Sequence, residues 1–300
     1  MIRRYVTLDV FTDRAFGGNP LAVVLDADGL SDAQMQSIAA EFNYSETTFV
    51  LPARDPQQSA QVRIFTPRVE VPFAGHPNVG TAVILARERE AAGHPPVAEF
   101  RFEEAAGLVH VRLQRESGRV VGAELTAPEA LSVGPAVDVP AVARCLSLAP
   151  PEIDVATHPP RVVSVGLPFL AVRLSGRDAL RRAKPDLEAH ERLLPPLRTD
   201  AIFAYVEGPA ACQIQARVFA PLDGCIEDPA TGSATAATIA LLASLRTDAD
   251  ADLDWRIEQG TDMGRPSLLL GRTEKRGGTL RAVHVGGRAV EVMRGSFDIP

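Results

Sequence analysis

The 300-residue sequence contains few of the residues on which disulfide frameworks, metal sites and base-stacking surfaces depend. It has 3 cysteines and 6 histidines, with no Cys-x-x-Cys or His-x-x-x-His pair. This odd, unclustered set (Cys145, Cys212, Cys225) predicts reduced thiols and no zinc site. Aromatic residues make up only 5% of the chain and the net charge is −7, so neither base stacking nor phosphate attraction favours a nucleic-acid partner.

Long apolar runs are also absent. The longest, around 236–245, falls well short of the roughly 20 residues that cross a bilayer, and residues 1–9 alternate like a strand and lack the apolar core of a signal peptide. We therefore expect a cytoplasmic protein without membrane contacts. The hydrophobic share of 46% and the charged share of 23% are ordinary globular values, and the length suffices for one large or two ordinary domains.

One strand–loop–helix pattern occurs twice, first in 63–86 and again in 217–243. Each copy has a strand ending in Phe-x-Pro, a short polar loop and an apolar helix that begins with small residues. Gly80 follows Phe65 by 15 positions and Gly232 follows Phe219 by 13, so this alignment needs a two-residue gap. Free N–H groups and the helix dipole favour anions at such helix starts. The duplication predicts two related lobes with a site for a small anionic molecule in the cleft between them.

The remaining pattern predicts a mixed α+β chain. Strand-like runs occupy 5–11, 21–25, 47–51, 62–66, 108–113, 120–125, 161–165, 169–174, 202–206, 213–219, 255–258, 267–270, 282–285 and 289–293. Helices are predicted at 31–42, where Ser31-x-x-Gln34 forms a capping box, from Pro77 toward Glu90, at 178–194 and at 231–245. Region 127–140 is predicted to be a loop. The two motif helices are apolar nearly all round, which predicts burial on every side.

Five motifs in order resemble the PhzF family, named for the phenazine-biosynthesis isomerase. They are Asp9-Val-Phe-Thr12 with Gly17-Gly-Asn-Pro-Leu-Ala-Val-Val24, Asn43-Tyr-Ser-Glu-Thr-Thr-Phe-Val50, Pro72-Phe-Ala-Gly-His-Pro77, Glu227-Asp-Pro-Ala-Thr-Gly-Ser-Ala234, and Glu258-Gln-Gly260 with Met263-Gly-Arg-Pro-Ser267. The resemblance implies a diaminopimelate-epimerase-like α+β fold, in which each of two pseudo-symmetric lobes curls a β-sheet around a central helix. The expected lobes are 1–118, completed by about 287–300, and 119–286. The resemblance also implies a homodimer.

The same resemblance implies an isomerase that moves a proton within a small carboxylate-bearing molecule, without metal or organic cofactor. Its nearest substrate analogy is trans-2,3-dihydro-3-hydroxyanthranilate. Glu46 would be the general acid/base, because apolar surroundings let a carboxylate take and return a proton. His76 and Asp228 would complete the catalytic set, each just before a motif helix. Five further residues would bind substrate: Asn19, Ser45, Gly75, Gly232 and Ser233.

Plainer roles are available for each of these residues. An isolated glutamate such as Glu46 is ordinarily solvated. His76 could simply cap its helix, and Asp228-Pro229 is a good capping arrangement with proline at the first helical position. Arg63 and Arg217 are expected on exposed strand faces or as braces of the lobes. The five ordered motifs favour the catalytic interpretation of Glu46, His76 and Asp228.

Rival functions remain open at this stage. The chain could isomerise or epimerise another metabolite, or bind a metabolite or protein without turnover. A racemase with two cysteine bases is disfavoured, because the aligned cysteine positions hold Ala74 and Pro229 and Cys225 has no counterpart in the first copy.

Overall fold

The computed structural model describes residues 2–208, 210 and 213–299. The chain divides into two units, the first formed by Met1–Thr126 with Gly286–Pro300 and the second by Ala127–Val285. The expectation of a reduced thiol at Cys212 lies outside the described residues.

The first unit contains eight strands and two helices in chain order. They are β1 (Ile2–Val10), β2 (Asn19–Val24), α1 (Asp32–Phe42), β3 (Glu46–Leu51), β4 (Ala60–Phe65), β5 (Glu70–Val71), α2 (Gly75–Ala91), β6 (Glu99–Glu104), β7 (Gly107–Glu116) and β8 (Arg119–Thr126). The second unit follows with β9 (Ser132–Ala136), α3 (Val139–Cys145), β10 (Arg161–Ser164), β11 (Pro168–Arg173), α4 (Arg177–Arg182), α5 (Leu187–Leu193), β12 (Ile202–Glu207), β13 (Gln213–Ala220), β14 (Cys225–Asp228), α6 (Gly232–Leu245), β15 (Ala251–Gln259) and β16 (Ser267–Arg276). The last strand, β17 (Thr279–Asp298), starts in the second unit and ends in the first.

The sheet of the first unit curls around α2. Its neighbours run β1-β2-β3-β4-β6-β7-β8, with parallel pairs β2–β3 and β4–β6 and antiparallel pairs elsewhere. β17 pairs with β8 and, antiparallel, with β1, so the sheet closes on itself. α2 contacts β1, β2, β3, β7 and β8, and its residues 75–84 are all buried. The predicted burial of this helix on every side is therefore confirmed.

The second unit repeats this order around α6. Its neighbours run β9-β10-β11-β12-β13-β15-β16, with parallel pairs β11–β12 and β13–β15, and β14 pairs with β13. α6 contacts β10, β11, β12, β15 and β16 and is buried from 234 to 243. In both units the central helix connects two parallel strands, which is the duplication that the sequence predicted.

A side-chain arrangement is duplicated with the backbone. The guanidinium of Arg63 lies 5.1 Å from the ring centre of Phe65, and that of Arg217 lies 4.8 Å from the ring centre of Phe219. Each arginine also donates two N–H groups to a carboxylate of the following short strand, Glu70 or Glu227. The arginines therefore brace their own units, which is one of the two expected roles. Arg217 is buried, so the other expected role, on an exposed strand face, was wrong for this residue.

Several predicted boundaries were wrong for identifiable reasons. The helix predicted at 178–194 is two helices, α4 and α5, because Pro185 lacks an N–H group and disfavours helical backbone before it. The loop predicted at 127–140 contains β9. The two last predicted strands are one, since Gly286 and Gly287 lie against the backbone of β8: a Cβ on Gly286 would lie 2.4 Å from the carbonyl oxygen of Ala123. The glycine pair was interpreted as the end of one strand, but it allows β17 to lie close to β8.

Candidate active site

The candidate acid/base lies where β2, β3 and α2 begin in the first unit. Glu46 is the first residue of β3 and pairs with Leu21 of the parallel strand β2. Asn19 is the first residue of β2, and His76 lies in the first turn of α2. The parallel pairing places the two strand starts side by side, so side chains distant in sequence converge there.

The distances at this end are short. His76 Nε2 lies 3.4 Å from Glu46 Oε2, and the Ser45 hydroxyl donates to Asn19 Oδ1 at 2.7 Å. The Glu46 side chain is 20% exposed, whereas Asn19 and His76 are buried. The structure therefore brings together the predicted residues of the first unit, including Gly75, which opens α2 beside His76.

The imidazole of His76 is neutral in this position. Burial lowers the pKa of His76 to about 3, and a hydrogen bond to the backbone of Pro20 offsets only part of that shift. Proline offers only a carbonyl, so His76 donates to it. Nε2 makes no hydrogen bond of normal geometry within the described residues, so Nδ1 is the nitrogen that carries the proton. Nε2 is then left as an acceptor facing Glu46.

The helix positions correct one prediction. His76 is the second residue of α2 and does not precede it, and the helix starts at Gly75, before the predicted Pro77. The N-cap is Ala74, whose methyl group cannot accept a hydrogen bond from the first-turn N–H groups. His76 is therefore not the cap of its helix.

Glu104, which the sequence did not single out, lies under the start of α2. Both carboxylate oxygens are shielded from solvent and have no hydrogen-bond partner of normal geometry among the described residues. Burial raises the pKa of Glu104 to about 8, and the nearby side chain of Asn78 opposes this only in part. Asn78 is itself buried and donates to the Ala74 carbonyl at 3.0 Å. A neutral carboxyl group thus lies near Asn78, which belongs to the helix turn that carries His76.

In the second unit, Asp228 is the last residue of β14 and not a helix cap. The N-cap of α6 is Thr231, and its hydroxyl donates to Asp228 Oδ2. The alternative in which Asp228 caps a helix that starts at Pro229 was therefore wrong, whereas the helix predicted at 231–245 differs from α6 by one residue at its start. Gly232 and Ser233 are the first two residues of α6. These three predicted residues share one loop-to-helix connection.

Gln259 organises this connection. The sequence pattern identified only the motif that contains Gln259, and not the residue itself. Its amide nitrogen donates to the Asp228 carbonyl at 2.8 Å and to the Thr231 hydroxyl at 3.1 Å, while its Oε1 accepts from the Thr231 N–H at 3.1 Å. Ser267 donates to the Pro229 carbonyl at 2.9 Å. The signal was present, because both residues lie in the closing motif, but only the fold shows that this motif holds the 228–232 loop.

The observed helix starts also change the alignment of the two copies. Gly75, not Gly80, matches Gly232, so His76 matches Ser233 and Asp228 lies in the longer second loop. Gly80 instead permits close packing, since a Cβ there would lie 2.4 Å from Leu21 Cδ2. Neither helix start carries a cysteine, and the Cys225 thiol contacts the Glu227 carbonyl.

In the ranges 2–208, 210 and 213–299, no group of three or more His, Cys, Asp or Glu residues could hold a metal ion. Within the same ranges, no helix has the length and apolar character needed to cross a bilayer.

Comparison with known proteins places the chain in a family. The family model "Phenazine biosynthesis-like protein" matches residues 8–295. The trans-2,3-dihydro-3-hydroxyanthranilate isomerase of Pseudomonas chlororaphis is 36% identical over 297 residues, which cover 99% of each chain. A PhzF-family crystal structure from Bacillus anthracis covers 100% of both chains with a TM-score of 0.85 and 25% identity.

A more distant likeness concerns the fold alone. A hydroxyproline epimerase from Agrobacterium vitis aligns with 98% of this chain and 92% of its own, with a TM-score of 0.62 and 14% identity. The diaminopimelate-epimerase-like α+β architecture predicted from the motifs is therefore confirmed. Because the family model and the Pseudomonas relative both match nearly the whole chain, the protein is an isomerase that belongs to the PhzF family.

Proposed function

We propose that the protein isomerises trans-2,3-dihydro-3-hydroxyanthranilate or a closely related unsaturated carboxylate by moving one proton between ring carbons. The observation that carries this proposal is the 3.4 Å separation of Glu46 Oε2 and His76 Nε2 at a buried helix start. The name of the Pseudomonas relative supports the choice of substrate.

The chemistry is matched to a carboxylate base. The C3 proton of this substrate is acidified by adjacent unsaturation, so its removal is easier than removal of the α-proton of a free amino acid. Glu46 takes this proton and becomes neutral. The protonated carboxyl group then donates toward His76 Nε2, which is free to accept because the imidazole proton is on Nδ1. Return of the proton to another ring carbon restores the Glu46 carboxylate and completes an isomerisation in which nothing is consumed.

The remaining predicted residues are proposed to bind substrate. Ser45 and Asn19 form a hydrogen-bonded pair near Glu46, and their polar groups would contact the substrate at this end of the site. Gly75 supplies a backbone N–H group at the uncapped start of α2. For Asp228, Gly232 and Ser233, the roles of orienting polar substituents and holding the carboxylate rest on the family motif.

The test is proton NMR of the purified protein with trans-2,3-dihydro-3-hydroxyanthranilate in D2O, beside a Glu46→Gln variant. Glu46→Gln keeps shape and removes the titrating group, so turnover should fall by roughly 10²-fold or more. The matched control is Glu41→Gln, at an exposed position near the end of α1, which should keep full activity. Full activity in Glu46→Gln would remove Glu46 as the base.

Two rival outcomes are distinguishable in the same experiment. If no sample converts trans-2,3-dihydro-3-hydroxyanthranilate but the protein turns over another unsaturated carboxylate, the proton-transfer proposal stands and the proposed substrate changes. Tight binding without any proton exchange would favour a metabolite-binding protein.

The assembly is proposed from the family resemblance, and the compartment from the few, unclustered cysteines and the lack of a long apolar run. We expect a homodimer in the cytoplasm. Light scattering on the eluted protein should give twice the mass of 32.1 kDa, and a mass of one chain would contradict the dimer.

A further inference from the structure

A cavity of about 610 Å³ lies in the first unit, away from Glu46 and His76. Its walls come from the segments after β2 and β3, from the last turns of α2 and from the start of β6. The apolar lining includes Leu25, Val50, Leu51, Leu85, Val97 and Phe100. Glu46 is the first residue of β3 and His76 lies in the first turn of α2, so the cavity is at the opposite ends of the same elements, roughly 20 Å along the helix.

Arg3 places a buried positive charge in this cavity. Its residue is 7% exposed, and its guanidinium donates to the Asp26 carbonyl at 2.8 Å. No carboxylate of the described chain lies within 4.0 Å of it, and no described group accepts from its Nε. A buried cation without an ionic partner is costly, which makes this position favourable for an anion.

Asp26 does not act as the missing partner. Arg4 donates two N–H groups to its carboxylate, at 2.7 and 2.9 Å. Arg4 chiefly, with a smaller contribution from Arg3, lowers the pKa of Asp26, so this carboxylate is ionised and already engaged. Of the other charged groups around the cavity, Arg89, Asp28 and Glu99 are exposed, and Glu99 accepts from Arg101 at 3.2 Å.

A second polar group at the cavity is a hydrogen-bond acceptor without a donor. Gln58 lines it, and its Nε2 donates to Asp55 at 3.1 Å, whereas its Oε1 is shielded from solvent and has no described donor. A molecule that carries both an acid group and a hydrogen-bond donor would satisfy Arg3 and Gln58 together.

We propose that this cavity is a second ligand site, which binds a small organic acid with an apolar body and a hydroxyl or amino group. The acid group pairs with Arg3, the donor meets Gln58, and the body contacts the apolar wall. Because the cavity shares β3 and α2 with the candidate active site, an occupant there is placed to act on the same rigid elements.

The probe is 3-hydroxybenzoate, with the uncharged 3-hydroxybenzamide as its isostere. Both are titrated into full-length protein with labelled Leu and Val methyl groups. We expect the acid to shift the methyl signals of Leu25, Val50 and Leu85, and to bind about tenfold more tightly than the amide. Arg3→Met should reduce the affinity for the acid by a similar factor, and Arg144→Met, an exposed arginine of the second unit, should not.

Three results would overturn the proposal. They are methyl shifts confined to other parts of the protein, equal binding of acid and amide by the wild type, and unchanged binding in a folded Arg3→Met variant. The comparison of acid with amide needs no variant, so it decides the matter even if Arg3→Met fails to fold. Retention of isomerase activity in Glu41→Gln and loss in Glu46→Gln are independent of all three results.

Discussion

His76 Nε2 lies 3.4 Å from Glu46 Oε2, although Glu46 begins β3, His76 lies in the first turn of α2, and β4 and β5 lie between them in the chain. The contact depends on the parallel pairing of β2 with β3 and on the wrapping of both strands around α2. It joins a partly exposed carboxylate to a neutral, buried imidazole. The neutrality of that imidazole is the first property to measure.

We predict that His76 remains neutral throughout the range in which an ordinary imidazole titrates, near pH 6.5. Its folded pKa is lowered by burial to about 3, so the folded state binds the proton less tightly than the unfolded state does. The stability that neutral His76 contributes is therefore present above pH 6.5 and is lost as the pH falls toward 3.

Burial also lowers the pKa values of His158 and His190, so the His76 signals are assigned by mutation. In two-dimensional NMR of ring-labelled histidine, the resonance pair that disappears in His76→Asn should not move between about pH 5 and 8 in the wild type. His94→Asn, at an exposed loop position, identifies an unrelated resonance as control. Movement of the His76 resonances through this range would contradict the assigned tautomer and the acceptor role of Nε2.

Glu104 gives the opposite pH dependence. Its folded pKa is raised to about 8 by burial, above the ordinary glutamate value of 4.5. The folded state then holds a proton that the unfolded state releases, so the contribution to stability is full below pH 4.5 and is lost as the pH rises to 8. The free energy of unfolding should decrease by roughly 1 kcal/mol per pH unit in this window from Glu104 alone.

Urea unfolding of Glu104→Gln at pH 5 and pH 8 checks this prediction. The amide cannot ionise, so the variant should lose less stability than the wild type between the two pH values. Glu129→Gln, at an exposed position, should keep the wild-type slope. Equal slopes in all three proteins would show that Glu104 is ionised in the folded state.

The sequence was sufficient for the duplicated strand–loop–helix units and the burial of both central helices, because periodicity and small-residue content are local properties. It was not sufficient for Glu104 or Gln259. Glu104 ends an ordinary charged strand, and its burial depends on its position under Asn78, which only the closed sheet creates. Gln259 acts on Asp228 across 31 positions of sequence.

The misplaced helix starts have a related cause. Gly80-Thr81 was aligned with Gly232-Ser233 because small residues mark a helix start and also mark close helix packing. In the first unit the helix begins five residues earlier, and Gly80 is small because Leu21 lies against it. A pattern of small residues cannot distinguish these two requirements, whereas the position of the neighbouring strand does.

The duplicated arginines should differ in energetic weight. Arg217 and Glu227 have side chains that are 11% and 13% exposed, and Arg217 also donates to the carbonyls of Leu180 and Ala183. Removing Arg217 leaves a buried carboxylate unpaired, so Arg217→Met should lower the free energy of unfolding by about 3–5 kcal/mol. Arg63→Met is the matched control in the other copy. Its partner Glu70 is more exposed, so the loss should be about 1 kcal/mol.

Chemical unfolding followed by circular dichroism measures both variants against the wild type. Equal losses would mean that burial of the ion pair does not set its contribution. The expected order, Arg217 well above Arg63, would show that one duplicated arrangement acquired different energetic roles in the two units.

The last prediction concerns Gln259, which holds the loop before α6 through three hydrogen bonds to Asp228 and Thr231. Gln259→Leu keeps an apolar body of similar size but removes both donors and the acceptor, so Asp228 loses its fixed backbone position. If Asp228 orients substrate, kcat/KM should fall by about tenfold or more, while the circular dichroism spectrum stays unchanged. Gln215→Leu is the control, because Gln215 donates to Glu258 on the adjacent strand and does not contact the loop. Gln259→Leu and Gln215→Leu each remove a buried or half-buried amide from neighbouring strands. A fall in activity for Gln259→Leu alone would therefore show that the effect comes from the position of the loop before α6. Equal activity in the two variants would show that the position of Asp228 does not depend on this network, and the proposed role of Asp228 would then have to be tested directly with Asp228→Asn.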